Sequence, residues 1–188
     1  MYDYCSTQIN LPEKVGFKIF SWATENLKKE WLYEESNDDS YGLEDEPHVT
    51  LLYGLLPSVT AEDLEYFIYS HNKEIPKKLE FSLTKLSFFR NENFNVMKIN
   101  VAMHDSLTKM HYLLKENFPN ENKFPVYKPH STIAYLKKEY WDEYSKFQDF
   151  QIFKKCDIGV KSFIFSNRGN DKKKIYLYDF DDYITIEV

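Results

Sequence analysis

Arginine, cysteine and glycine are all scarce in this chain of 188 residues, and each scarcity excludes something. Arg90 and Arg168 are the only arginines, so lysine carries most of the positive charge, and the net charge is -6. A protein that coats duplex nucleic acid usually presents a basic face, so duplex DNA is not an expected partner. A small or single-stranded nucleotide in a locally basic cleft remains compatible with this balance. Cys5 and Cys156 are the only cysteines, so nothing suggests a disulfide framework or a four-ligand zinc site. Glycine occurs five times, and no Pro/Gly/Ser-rich linker divides the chain. No window approaches 18 apolar residues, so no membrane span is expected. The start, Met1-Tyr2-Asp3-Tyr4-Cys5, has no basic region followed by an apolar stretch and does not read as a signal peptide. A reducing cytoplasm is the expected setting.

Apolar and aromatic residues are abundant. Hydrophobic residues make up 43% of the chain, with 15 Tyr and 15 Phe, enough for a sizeable core. Residues 1–188 read as one bilobal domain. Cys5 to Leu11 reads as a strand stopped by Pro12. Val15, Ile19, Trp22, Ala23 and Leu27 recur at helical spacing and predict a helix from Glu13 to about Glu34. Ser36 to Tyr41 is a polar loop, and Glu44 to Gly54 a strand. Thr60 caps a helix over Ala61 to His71, with Asp63 placed for a capping box. Leu79 to Arg90 and Val96 to Met103 form a strand pair, followed by a helix over Ser106 to Phe118 and a strand within Lys123 to Leu136. Glu139 to Phe147 is a brief helix. Ile152 to Ser166 and Lys173 to Phe180 are the last strands, joined by the turn Arg168-Gly169-Asn170-Asp171.

Within this pattern one motif occurs twice. Pro47-His48-Val49-Thr50-Leu51-Leu52-Tyr53 and Pro129-His130-Ser131-Thr132-Ile133-Ala134-Tyr135 both fit Pro-His-x-Thr-apolar-apolar-Tyr, 82 residues apart. Side chains two apart on a strand share a face, so His48 joins Thr50 and His130 joins Thr132. A single His beside a Thr is more often a satisfied core residue than a catalyst; the doubling is what carries the signal. The element order is close to a duplication, with one histidine strand per half. The fold class expected is α+β: two pseudo-symmetric lobes of antiparallel sheet with flanking helices and a central cleft.

The chemistry suits the residues. Histidine titrates near neutrality and can serve as acid or base. One imidazole can take the proton from a ribose 2'-hydroxyl as it attacks phosphorus, while the other protonates the departing 5'-oxygen. Thr50 and Thr132 can donate hydrogen bonds to the non-bridging oxygens. No metal or other cofactor is required by this scheme. The pseudo-symmetry leaves open which histidine is acid and which is base.

The paired His-x-Thr strands, each followed by an aromatic residue, resemble the 2H phosphoesterase superfamily over nearly the whole chain. That superfamily includes RNA 2',3'-cyclic phosphodiesterases, 2',5'-oligoadenylate phosphodiesterases and phage enzymes that destroy cyclic nucleotide immune signals. The wording of Ser6 to Pro12, Glu46 to Gly54 and Tyr127 to Leu136 is most similar to the phage anti-CBASS phosphodiesterases. The resemblance implies the 2H (LigT-like) fold, an acid/base pair in His48 and His130, and phosphate-binding hydroxyls in Thr50 and Thr132. It implies a cyclic di- or trinucleotide such as cGAMP as substrate, in a host cytoplasm. An RNA 2',3'-cyclic or 2',5'-linked substrate is the alternative, and a non-catalytic nucleotide sponge a rival of another class.

Further candidates depend on position alone. Tyr4, Tyr127 and Trp141 could stack on bases; Lys128 could hold a phosphate; Arg168 and the adjoining lysines could rim the cleft. For each of these, packing or simple solvation is the commoner role. Glu44-Asp45-Glu46 could tune His48 or receive a base amino group. Tyr53 and Tyr135, at odd spacing from their histidines, are expected on the opposite face, in the core. His71, His104 and His111 have no partner pattern. Oligomeric state is not legible in the sequence.

Overall fold

A computed structural model describes residues 3–35 and 41–177. Two four-stranded antiparallel sheets make the body. The first has the order β2-β1-β7-β8, built from β1 (Cys5–Asn10), β2 (His48–Leu55), β7 (Ser162–Ser166) and β8 (Lys172–Tyr176). The second has the order β5-β4-β3-β6, from β3 (Leu79–Arg90), β4 (Phe94–Met103), β5 (His130–Lys137) and β6 (Asp157–Val160). The strands β2 and β5, at the inner edges of their sheets, run beside each other, so the two motif strands meet at the middle of the molecule.

The lobes are not consecutive halves of the chain. β1 and β2 are followed by β3, which joins the other sheet. β4 and β5 are followed, after β6, by β7, which joins the first sheet. The first half therefore gives one strand, β3, to the other lobe, and the second half gives two, β7 and β8. The duplicated element order is present, but it is interlocked.

The stretch from Ile152 to Ser166 is two strands rather than one. Ile158 is buried from the second sheet, and Phe163 and Phe165 from the first. The odd separation between Ile158 and Phe163 cannot put both inside along a single uninterrupted strand, so the chain breaks at Lys161 and changes sheet. The first helix, α1 (Glu13–Asn26), is also shorter than its apolar spacing predicts. Leu27 turns extended, and residues 29–31 form one 3-10 turn. Beyond it Leu32 bridges to Leu136, and the Tyr33 N–H donates to the Tyr135 carbonyl at 2.9 Å. The exposed edge of β5 recruits this segment, which costs the helix its last turns.

The other helices follow the sequence closely. α2 (Ala61–Ser70) carries the full capping box, with Asp63 N–H donating to Thr60 and Thr60 N–H to Asp63. α3 is Asp105–Asn117, and the brief α4 is Trp141–Tyr144 between 3-10 turns. None of the described helices is long and apolar enough to cross a membrane. Residues 36–40 of the expected polar loop and residues 178–180 of the last expected strand lie outside the described residues.

Candidate active site

The two motifs are built alike to the level of single hydrogen bonds. Pro47 and Pro129 are buried, as are Val49, Leu51, Ser131 and Ile133, while His48, Thr50, His130 and Thr132 are half-buried on the other face of their strands. His48 Nδ1 lies 2.9 Å from the Glu46 carbonyl oxygen, and His130 Nδ1 lies 2.9 Å from the Lys128 carbonyl oxygen. A carbonyl only accepts, so each Nδ1 carries the hydrogen and each Nε2 is left for proton transfer. The imidazoles are near enough for the charge of His48 to act on His130.

Each motif strand also carries a bulge at the same place. On β2, Thr50 and Leu52 face Gln8 and Thr7, so Leu51 is an extra residue. On β5, Thr132 and Ala134 face Lys98 and Met97, so Ile133 is an extra residue. A bulge shifts the alternation by one. Tyr53 and Tyr135 consequently join the face of the histidines instead of the core face, and Tyr53 is 46% exposed. The expected core placement of both tyrosines is overturned by this one-residue insertion. A second irregularity follows at Gly54, where a φ of +93° and the Asn122 backbone nitrogen, which an added Cβ would meet at 3.1 Å, both favour glycine.

The neighbouring strand in each lobe adds two side chains to the site face. Gln8 pairs in register with Thr50 and Asn10 with His48; Lys98 pairs with Thr132 and Asn100 with His130. Gln8 donates to Asn10 Oδ1 at 2.9 Å, and Lys98 donates to Asn100 Oδ1 at 2.6 Å. These four residues were not anticipated, although the sequence carries the signal: Gln8-Ile9-Asn10 and Lys98-Ile99-Asn100 repeat as polar-Ile-Asn.

Charge distinguishes the two sides. Lys98 is buried, donates also to Ser87 Oγ at 2.7 Å, and sits 4.4 Å from the centre of the Phe89 ring. Burial lowers its pKa, and the charge of Lys128 adds to the effect. Phe89 meets His130 edge-on at 4.9 Å. Burial holds the pKa of His130 below its usual value against the opposing Lys128 carbonyl bond, and the charges of Lys98 and His48 push it the same way as burial. On the other side, Glu44 lies close to His48. Burial raises its carboxyl above the usual range, while the charge of His48 and the N–H of Glu46 oppose that rise.

The remaining candidates scatter. Tyr127 is not a stacking platform: its hydroxyl donates to the Thr50 carbonyl at 2.9 Å, and its ring stacks on buried His111 at 4.0 Å. His111 Nδ1 in turn holds the Leu51 carbonyl at 2.6 Å. The pair therefore anchors the first motif from behind. Trp141 lies beneath the Arg90 guanidinium and against Phe88, whose side chains project from the face of β3 opposite Phe89; this removes it from the histidine face. Arg168 sits in the β7–β8 turn, lining a cavity with Thr60 and Glu62 at the start of α2. Lys128 is exposed, its carbonyl holding His130. Tyr4 meets Tyr53 edge-on at 6.0 Å. Of the lysine run, Lys172 pairs with Glu46, and Lys173 with Glu62 and Glu65 on α2. No cluster of three or more metal-ligating His, Cys, Asp or Glu side chains occurs among the described residues.

Two sheets meeting at a pair of His-x-Thr strands, with both Nε2 atoms left for chemistry, define a two-histidine phosphoesterase. The chain belongs to the 2'-5' RNA ligase superfamily, which residues 21–163, well over half its length, match, and it is an enzyme of the phosphodiesterase type. LigT of E. coli, solved with NADP+, superposes with a TM-score of 0.57 at 14% identity, covering 94% of this chain and 95% of that one. Usb1 of Kluyveromyces marxianus gives 0.56 at 11% identity, covering 93% and 98%. TT0787 of Thermus thermophilus gives 0.56 at 15% identity, covering 93% and 95%. At these identities the likeness is one of fold. No curated protein matches the chain in sequence.

Proposed function

We propose that the chain cleaves 3'-5' phosphodiester linkages in small ribonucleotides by metal-independent two-histidine catalysis. The observation that carries this reading is the doubled carbonyl clamp, which fixes both imidazoles in the tautomer with Nε2 available. In the first step, neutral His130 takes the 2'-hydroxyl proton. The 2'-oxygen bonds to phosphorus, the bond from phosphorus to the 5'-oxygen breaks, and protonated His48 supplies the proton to that oxygen. The placement of Lys98 beside His130 and Glu44 beside His48 supports this polarity. Thr50 and Thr132 donate to the non-bridging oxygens as charge builds. The 2',3'-cyclic phosphate formed is opened by water with the two roles reversed.

The substrate class is a cyclic di- or trinucleotide, of the kind used as an immune signal; degrading it would blunt a CBASS-type defence. Support for a nucleotide ligand comes from the same fold holding uridine monophosphate in Usb1 and 3'-AMP and ATP in LigT. Family membership favours a second reading, an RNA 2',3'-cyclic or 2',5'-linked substrate.

The test is an incubation with cyclic di- and trinucleotides and with RNA carrying a 2',3'-cyclic end, in EDTA, read by mass spectrometry. Linear products that vanish in the His48→Ala/His130→Ala protein are expected. Turnover surviving in that double variant would sink the mechanism. Retention of unchanged nucleotide by the wild-type protein would point to a sponge.

A further inference from the structure

The bulges at Leu51 and Ile133 do more than shape the strands. Each returns a tyrosine to the catalytic face at one distance from its threonine. Tyr53 pairs in register with Ser6, two positions along β1 from Gln8, the partner of Thr50. Tyr135 pairs with Val96, two positions along β4 from Lys98, the partner of Thr132. Two positions of strand span about 7 Å, the order of distance between a phosphate and the base of the nucleoside attached to it. Each tyrosine is braced by an aromatic neighbour met edge-on: Tyr4 at 6.0 Å from Tyr53, and Tyr41 at 5.2 Å from Tyr135. Phe94 extends the second group, 5.4 Å from Tyr135.

We propose that Tyr53 and Tyr135 are two base-stacking platforms, one on each side of the phosphate position, so that the enzyme prefers a linkage flanked by a nucleoside on both sides. This rests on the phosphodiesterase reading above and deepens it: the favoured substrate has an internal linkage, as in a dinucleotide or a cyclic oligonucleotide, rather than a terminal cyclic phosphate. Aromatic platforms accept any base, because every base has a π-face. The site is therefore tolerant of base identity and selective for base number. The two-fold likeness of the lobes matches the likeness of two nucleosides joined at one phosphate.

The experiment compares the wild type with Tyr53→Ala, Tyr135→Leu, Tyr53→Phe and Tyr135→Phe on three probes. These are the ribodinucleotide ApA, adenosine 2',3'-cyclic phosphate, and the 2'-deoxy dinucleotide d(ApA), which lacks the attacking hydroxyl and reports binding alone by calorimetry. Loss of either ring should lower kcat/KM on ApA by about 5- to 150-fold, the equivalent of one lost base–aromatic stack, chiefly through KM. Both Phe variants should stay close to wild type. With adenosine 2',3'-cyclic phosphate, which has one base, one of the two ring-loss variants should suffer much more than the other. Affinity for d(ApA) should fall in both.

Ring-loss variants that bind d(ApA) like wild type would overturn the proposal. So would Phe variants as poor as the ring-loss variants, which would assign the hydroxyl and not the ring. If the wild type cleaves nothing yet binds d(ApA) through both rings, the reaction assignment fails and the platforms stand. If d(ApA) does not bind at all, the platforms fail regardless of the reaction.

Discussion

The half-site on β2 and the half-site on β5 share a histidine, a threonine, a buried proline, a carbonyl clamp and a bulge, yet they differ in charge. Beside Thr50 stands the neutral Gln8; beside Thr132 stands the buried cation Lys98. Before His48 stands Glu44, within electrostatic reach. In the mechanism proposed above, shared geometry makes the two histidines interchangeable proton carriers, and the surrounding charges remove the interchangeability. A transfer reaction needs both features: like placement on either side of phosphorus, and unlike proton occupancy at the start.

The strongest way to break the comparison is to remove one histidine and change the leaving group. His48→Ala and His130→Ala should each lose about 10²–10⁴-fold in kcat on a dinucleotide. A uridine 3'-(4-nitrophenyl phosphate) substrate expels a group that departs without a proton. On it, His48→Ala should recover most of its loss, because the acid is no longer needed, while His130→Ala should remain impaired. Equal recovery in both variants, or recovery only in His130→Ala, would reverse or erase the assigned roles.

A smaller effect comes from neutralising the charge that separates the lobes. Burial first, and then the charges of Lys98 and His48, hold the pKa of His130 down, while its bond to the Lys128 carbonyl opposes them. The groups that titrate around it are Lys98 on β4, Lys128 just before β5, and His48 on β2. As the proposed base, His130 must be neutral, so the acid limb of kcat/KM is expected at lower pH with Lys98 present. Lys98→Met keeps the volume and removes the charge; the pKa of His130 should rise and the limb should move to higher pH. Activity near pH 6 should fall by more than activity near pH 8. A limb that stays in place would show that the proton taken up there is not on His130.

Much of this was legible in the sequence, and the illegible parts have physical causes. The His-x-Thr pairs were readable because period-two alternation puts them on one face whatever the tertiary context. Tyr53 and Tyr135 were misplaced because a bulge leaves no local mark: Leu51-Leu52 and Ile133-Ala134 read as ordinary apolar pairs until the partner strand shows that each pair faces a single step. Lys98 was passed over because it stands on a strand without a motif, and its closeness to Thr132 exists only through pairing. The crossing of β3 into one lobe and of β7 and β8 into the other was equally hidden, although the change of phase between Ile158 and Phe163 was there to be read. Trp141 shows the limit of closeness in sequence: it follows β5 in the chain but packs away from the face that β5 helps to form.

The smallest expected effect concerns how each bulge is held from behind. In the β5 half-site, the Ile133 carbonyl accepts the Glu44 backbone N–H at 2.8 Å. In the β2 half-site, the Leu51 carbonyl accepts from the His111 side chain and the Thr50 carbonyl from the Tyr127 hydroxyl. One anchor is main chain and indifferent to side-chain identity; the other can be deleted. Tyr127→Phe should cost about 1 kcal/mol, the net worth of one hydrogen bond, and His111→Leu about 1–3 kcal/mol, because a buried carbonyl loses its partner. The change in thermal midpoint checks both. His111 also has a pKa lowered by burial, the Leu51 bond opposing. The unfolded chain therefore binds the proton more readily, and wild-type stability should decline as pH falls through the ordinary histidine range near 6.5. His111→Leu should flatten part of that decline. If its stability falls with pH as steeply as the wild type's, His111 contributes none of the acid sensitivity and the other depressed histidine, His130, accounts for it.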